Sequence, residues 1–118
     1  MTKKNTITNK IPGFLSELDT RLVSENKFEL LKPLKYNSAL CLLTITVPKG
    51  FITNFASFIL IKFGEKSSTL HDYLYDGRMF DRTKCDKIFL EALKSEGVGF
   101  ARRWACYLGV RVAGWSHY

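Results

Sequence analysis

The sequence predicts an α+β domain in which a small N-terminal antiparallel β part is followed by three helices. Short β-branched and aromatic runs broken by Pro and Gly occupy the first half, whereas apolar residues in the second half recur at helical spacing. A chain of 118 residues, 46% of them apolar, suits one domain with its own core. We therefore expect a loose arm over residues 1–12 and a single globular domain over residues 13–118.

The strands of the first half are predicted from short runs separated by turn residues. Arg21–Ser24 and Lys27–Leu31 are typical of edge strands, and Asn37-Ser38 is typical of a turn. Ala39–Val47 is the clearest strand, because it becomes β-branched toward its end and is followed by Pro and Gly. Together these runs predict a small antiparallel sheet.

The first predicted helix covers Thr69–Tyr75. Ser67 or Ser68 is expected to be its N-cap, because a serine hydroxyl accepts hydrogen bonds from the free backbone amides of a first helical turn. Asp76-Gly77 is expected to end it, since this pair tolerates a positive φ.

Two further helices are predicted after this one. The second covers Arg82–Ser95, with Asp81 as its N-cap and Gly97 closing it. The third covers Val98–Val112, with Gly114 beyond its end. The short connection between the first two helices predicts that they pack as an antiparallel pair.

The three cysteines are predicted to be reduced core residues. Cys41, Cys85 and Cys106 are far apart in apolar surroundings, and no Cys-x-x-Cys pair is present. Zinc-ribbon and thioredoxin chemistry are therefore not expected.

The predicted helix pair contains a cluster of ionisable residues. His71 and Tyr75 are four residues apart and therefore share a helix face, whereas Asp72 points elsewhere. Asp86 heads an apolar stripe on the second helix, formed with Phe89, Leu90 and Leu93. A buried carboxylate requires partners, so we expect Asp86 to meet His71 and Tyr75.

Such a cluster suits ester hydrolysis. A histidine held by a carboxylate has a fixed tautomer and can act as a general base on water, which is the role expected for His71 with Asp86. Asp72 could hold a hard cation such as Ca²⁺, which would stabilise an oxyanion. The alternative is that the buried His71, Asp86 and Tyr75 network only stabilises the helix pair.

Four blocks of the sequence resemble a family of uncharacterised small phage and prophage proteins. The blocks are PKGFITNFAS, LHDYLYDGR, CDKIFLEAL and CYLGVRVAG, and the resemblance covers about Phe28–Gly114. It implies a product of the host cytoplasm or the virion, in agreement with the absence of a signal peptide and of any apolar run of about 20 residues.

The helical blocks also resemble the phospholipase A2 helix pair, especially its bacterial and parvoviral forms. This resemblance implies that His71 is the base for water, that Asp72 is a Ca²⁺ ligand and that Asp86 orients His71. Tyr75 would support Asp86. The chain departs from both patterns, because Asn54 replaces an Asp of the phage family and the glycine-rich calcium loop of the phospholipases is not recognisable.

Two functional hypotheses follow from these resemblances. The first is a phospholipase A2-like, Ca²⁺-dependent hydrolase of lipid esters, for which a net charge of +7 would favour anionic membrane lipid as the partner. The second is a non-catalytic phage protein, either a virion or tail component or an inhibitor of a host factor, that binds a host or virion protein. Nucleic acid is not the expected partner, because the basic residues are dispersed and no nucleic-acid-binding motif is present.

Overall fold

A computed structural model describes residues 12–25, 27–53 and 64–117, with side chains as far as Val112. The predicted arm, apart from Pro12, lies outside the described residues, and so does Asn54. Within the described residues, antiparallel strands form two sheets and three helices follow. The predicted α+β class is confirmed.

The six strands of the described residues form two three-stranded sheets. They are β1 (Gly13–Phe14), β2 (Thr20–Ser24), β3 (Lys27–Leu30), β4 (Leu34–Ser38), β5 (Leu43–Val47) and β6 (Ile52–Thr53). The strand order is β1-β4-β5 in one sheet and β2-β3-β6 in the other. In the β4–β5 pair, Leu34 lies opposite Val47 and Tyr36 opposite Ile45. All four are buried, so one face of this hairpin faces the core.

The turn before β5 lies later in the chain than predicted. Asn37 and Ser38 belong to β4, and the turn occupies residues 39–42. The cause is a carboxylate on a later helix: Glu91 accepts hydrogen bonds from the backbone amides of Ala39 and Leu40 at 3.2 and 3.1 Å. These amides are therefore unavailable to a strand ladder, and β5 begins only at Leu43.

The three helices are α1 (Glu65–Gly77), α2 (Arg82–Ser95) and α3 (Phe100–His117). Helix α1 begins before Ser67 and Ser68, so the prediction that one of them is the N-cap is wrong. Glu96 instead accepts hydrogen bonds from the amide and the hydroxyl of Ser67, at 2.9 and 2.5 Å. This contact also joins the start of α1 to the end of α2, which makes the two helices antiparallel.

The end of α1 differs from its prediction, whereas both ends of α2 agree with theirs. At the end of α1 the positive φ falls on Arg78, at 49°, and not within Asp76-Gly77 as predicted. Helix α2 agrees with its prediction, because Asp81 caps its start by accepting from the Lys84 amide at 2.8 Å. Gly97, with φ of 86°, follows its end.

Helix α3 begins later and ends later than predicted. The amide of Val98 donates to the Leu93 carbonyl at 3.0 Å, so Val98 belongs to the closure of α2 and α3 begins at Phe100. The helix then continues through Gly109 and Gly114 to His117. The predicted end at Val112 is therefore wrong, since a single glycine costs a helix only about 1 kcal/mol and does not by itself end it.

Helix α2 lies between two core clusters. One cluster joins the β4–β5 hairpin to α1 and to Cys85, Ile88 and Ala92 of α2. The other joins Phe89 and Leu93 of α2 to α3 through Val98, Cys106 and Val110. The cysteines are free, and two of them, Cys85 and Cys106, are buried. No helix among the described residues has the length and apolar character to cross a bilayer.

Candidate active site

The helix pair brings three predicted site residues into contact. Nε2 of His71 lies 2.7 Å from Oδ1 of Asp86, and the hydroxyl of Tyr75 donates to the same oxygen at 2.7 Å. Asp86 is 0% exposed and His71 only 5% exposed. The predicted meeting of these side chains is therefore present, and it joins α1 to α2.

The imidazole of His71 is fixed by packing as well as by the carboxylate. Its ring centroid lies 4.3 Å from that of Tyr75 and 4.7 Å from that of Phe89. These contacts restrict rotation of the ring, and the hydrogen bond between Nε2 and Asp86 keeps the ring from turning over. The ring therefore has one orientation, with Nε2 toward Asp86 and Nδ1 on its other side.

Arg111 on α3 is a fourth member of the cluster that the sequence analysis did not assign. Its Nη1 donates to Oδ2 of Asp86 at 3.0 Å and to the Thr83 hydroxyl at 3.3 Å. Arg82 in turn donates to the Arg111 carbonyl at 2.8 Å. The one signal in the sequence is that Arg111 belongs to the CYLGVRVAG block. Its role depends on the rotation of α3 against α2, which no local pattern specifies.

The electrostatics of the cluster favour an ionised Asp86 beside a neutral phenol. Burial by itself raises the pKa of Asp86, but hydrogen bonds from His71, Tyr75 and Arg111 outweigh it, and the pKa lies below the ordinary value of 3.8. Burial and the neighbouring carboxylate raise the pKa of Tyr75. At neutral pH the carboxylate therefore accepts hydrogen bonds from both sides and holds the imidazole in place.

Asp72 faces away from this cluster, as the sequence predicts. Its Oδ2 accepts a hydrogen bond from the Thr53 hydroxyl at 2.9 Å. Asp72 and Thr53 line a cavity of about 200 Å³ together with Lys27 and Ile52. Helix α1 thus places the base candidate and this carboxylate at adjacent positions but on different sides.

Ca²⁺ needs more oxygen donors than the described residues place around Asp72. This ion takes six to eight oxygen ligands, several of them usually carboxylates. Among the described residues that line this cavity, Asp72 supplies the one carboxylate, and Lys27 brings a positive charge to the same wall. No group of three or more His, Cys, Asp or Glu residues suited to a metal occurs in the described part of the chain. The described donors by themselves do not fit the ion.

Comparison with known proteins identifies the family. No curated protein and no solved structure matches the chain significantly. Residues 28–110 match the family described as "Protein of unknown function (DUF1353)". The matched range contains His71, Asp72, Tyr75 and Asp86 and covers more than two thirds of the sequence. The chain therefore belongs to the DUF1353 family.

Proposed function

We propose that the protein is a phospholipase A2-like hydrolase of lipid esters, encoded by a phage or prophage, in which His71 is the general base for water. The observation that supports this proposal is the 2.7 Å contact between Nε2 of His71 and Oδ1 of Asp86. An ionised carboxylate at Nε2 favours the tautomer with the proton on Nε2. The lone pair is then on Nδ1, the nitrogen that accepts a proton from water.

The other members of the cluster position this base. Tyr75 and Arg111 bind the two oxygens of Asp86, so the carboxylate cannot rotate away from the imidazole. When His71 takes a proton from water, Asp86 stabilises the resulting imidazolium without itself being protonated. In this proposal Asp86, Tyr75 and Arg111 are positioning residues, and His71 alone contacts the reacting water.

Asp72 lies on a different side of α1 from the proposed base. It lies next to His71 in the chain and opens onto the cavity with Lys27 and Thr53. Its role as a Ca²⁺ ligand stays a prediction that follows from the phospholipase resemblance, and no step of the proposed reaction depends on it. The experiment below is therefore carried out with calcium and with a chelator.

The test is turnover of a soluble short-chain phospholipid and of anionic phospholipid vesicles. His71→Gln should reduce the rate by at least about 100-fold, the usual contribution of a general base. Asp76→Asn is the matched control, because Asp76 is an exposed residue of the same helix. Absence of turnover by the unmodified protein under both calcium conditions, or an undiminished rate in His71→Gln, would contradict the proposal.

A second function, a non-catalytic one, is favoured by the burial of Asp86 and by its contacts with all three helices. Asp86 is fully buried and links all three helices through His71, Tyr75 and Arg111. A network of this kind can serve stability alone in a non-catalytic virion component or inhibitor. This alternative predicts that His71→Gln lowers the free energy of unfolding while the unmodified protein hydrolyses none of the esters.

A further inference from the structure

Helix α3 exposes a continuous apolar face. Its large members follow one another at four-residue spacing and are 69, 38, 58 and 76% exposed, in the order Phe100, Trp104, Leu108 and Val112. The small residues Ala101, Ala105 and Gly109 are exposed between them. The face extends for about 18 Å along the helix. Soluble domains rarely leave so long an apolar surface uncovered unless it has a partner.

The side of α3 that packs on the protein is a different one. Cys106 and Val110 are buried against Phe89 and Leu93 of α2. Leu108 lies two residues from each of the two buried α3 residues, about 200° around the helix. Leu108 is therefore on the side of α3 that faces away from α2 and is not needed for the packing of the two helices.

Positive charge borders this apolar face. A groove of about 700 Å³ runs between α2 and α3 beside Trp104. Its basic lining residues are Lys87, Lys94 and Arg103. On the helix itself Arg102 is exposed. Helix α3 contains three arginines and no acidic residue.

The carboxylate in the groove directs its acceptor oxygens into the protein. Glu91 lines the groove, but its oxygens accept hydrogen bonds from the side chains of Tyr36 and Ser38 and from two amides of the β4–β5 turn. Arg103 donates to the Val98 carbonyl at 3.2 Å, so Lys87 and Lys94 are the cations of the groove that are expected to face a ligand. The surface combines apolar side chains with cations.

We infer that the exposed face of α3, with Lys87 and Lys94 beside it, docks on a lipid bilayer that contains anionic lipid. An apolar helix face bordered by basic residues is the pattern of a helix that lies in the headgroup plane. A net charge of +7 opposes a second copy of the chain as the occupant. The choice of lipid over an acidic protein rests on the proposed function.

The test is co-sedimentation with vesicles of phosphatidylcholine alone and of phosphatidylcholine with about one third phosphatidylglycerol. The unmodified protein should co-sediment with the anionic vesicles and stay in the supernatant with the neutral ones. Leu108→Asp should weaken binding at least about tenfold, since it places a charge in the inserted face. Lys87→Gln combined with Lys94→Gln should weaken it by a similar factor. Leu22→Asp is the matched control, because Leu22 is 62% exposed on β2, and its binding should be unchanged.

Three outcomes would overturn the inference. They are equal binding to neutral and anionic vesicles, binding unaffected by Leu108→Asp, and a dimer in light scattering that Leu108→Asp dissociates. The proposed function is tested separately, because His71→Gln should bind vesicles normally while losing turnover. Hydrolysis of a soluble phospholipid without vesicle binding would refute the docking surface and leave the hydrolase.

Discussion

Replacing Asp86 with alanine tests the central cluster through the free energy of unfolding. The substitution removes the acceptor for three donors of different exposure. His71 is buried, so water cannot replace the lost carboxylate as acceptor for its imidazole, and leaving that group unpaired costs about 1–3 kcal/mol. Tyr75 is half-buried and adds about 1 kcal/mol, whereas the Arg111 side chain is 28% exposed and can rehydrate at little cost. We expect a loss of about 3 kcal/mol in the free energy of unfolding.

Urea denaturation at neutral pH measures this loss. With a slope of about 1.5 kcal/mol/M, Asp86→Ala should lower the midpoint by about 2 M. Asp72→Ala is the comparison, because Asp72 is half-buried and lies outside the buried cluster, where it accepts a hydrogen bond from the Thr53 hydroxyl, so its midpoint should fall by less than that of Asp86→Ala. Equal shifts for the two variants would refute the assignment of Asp86 as the buried acceptor.

A second variant of this residue, Asp86→Asn, tests the dependence of stability on acid. The pKa of Asp86 is lowered in the folded state, so its ionised form stabilises the protein above the ordinary value of 3.8. That contribution is lost as the pH falls through the folded-state pKa. The unmodified protein should therefore lose stability below about pH 4, and Asp86→Asn should lose less over this interval. Parallel curves for the two proteins would contradict the lowered pKa.

Further predictions concern the contacts that shape the fold and the thiols. Glu91→Ala should destabilise by about 2–3 kcal/mol in urea, because four donors lose their acceptor, and an unchanged midpoint would contradict this role. Glu96→Ala should cost about 1 kcal/mol by removing the acceptor at the start of α1, and it should lower the melting temperature. Burial raises the pKa of Cys85 to about 11, so a thiol reagent should label Cys85 in the native protein far more slowly than Cys41, which is half-buried. Equal labelling rates for Cys85 and Cys41 would refute the prediction that the Cys85 thiol is protected by burial.

The local pattern of the sequence was sufficient for the elements that depend on periodicity. Helix α2 has its predicted bounds because Asp81 and Gly97 act on backbone within a few residues. The position of Asp86 on the apolar stripe placed it in the core, and the four-residue spacing placed His71 and Tyr75 on one face. Side-chain direction follows directly from helical geometry, so these contacts could be anticipated.

Other features depend on residues far apart in the chain. The β4–β5 turn is fixed by Glu91, about 50 residues later, and the start of α1 is fixed by Glu96, 29 residues after Ser67. Arg111 reaches Asp86 across 25 residues. A local pattern reports which face of an element is apolar, but it does not report which distant side chain will satisfy an exposed backbone amide or a second carboxylate oxygen. Only the packing of α2 against both neighbours determines those partners, because it sets the rotation and distance at which each polar group must be paired.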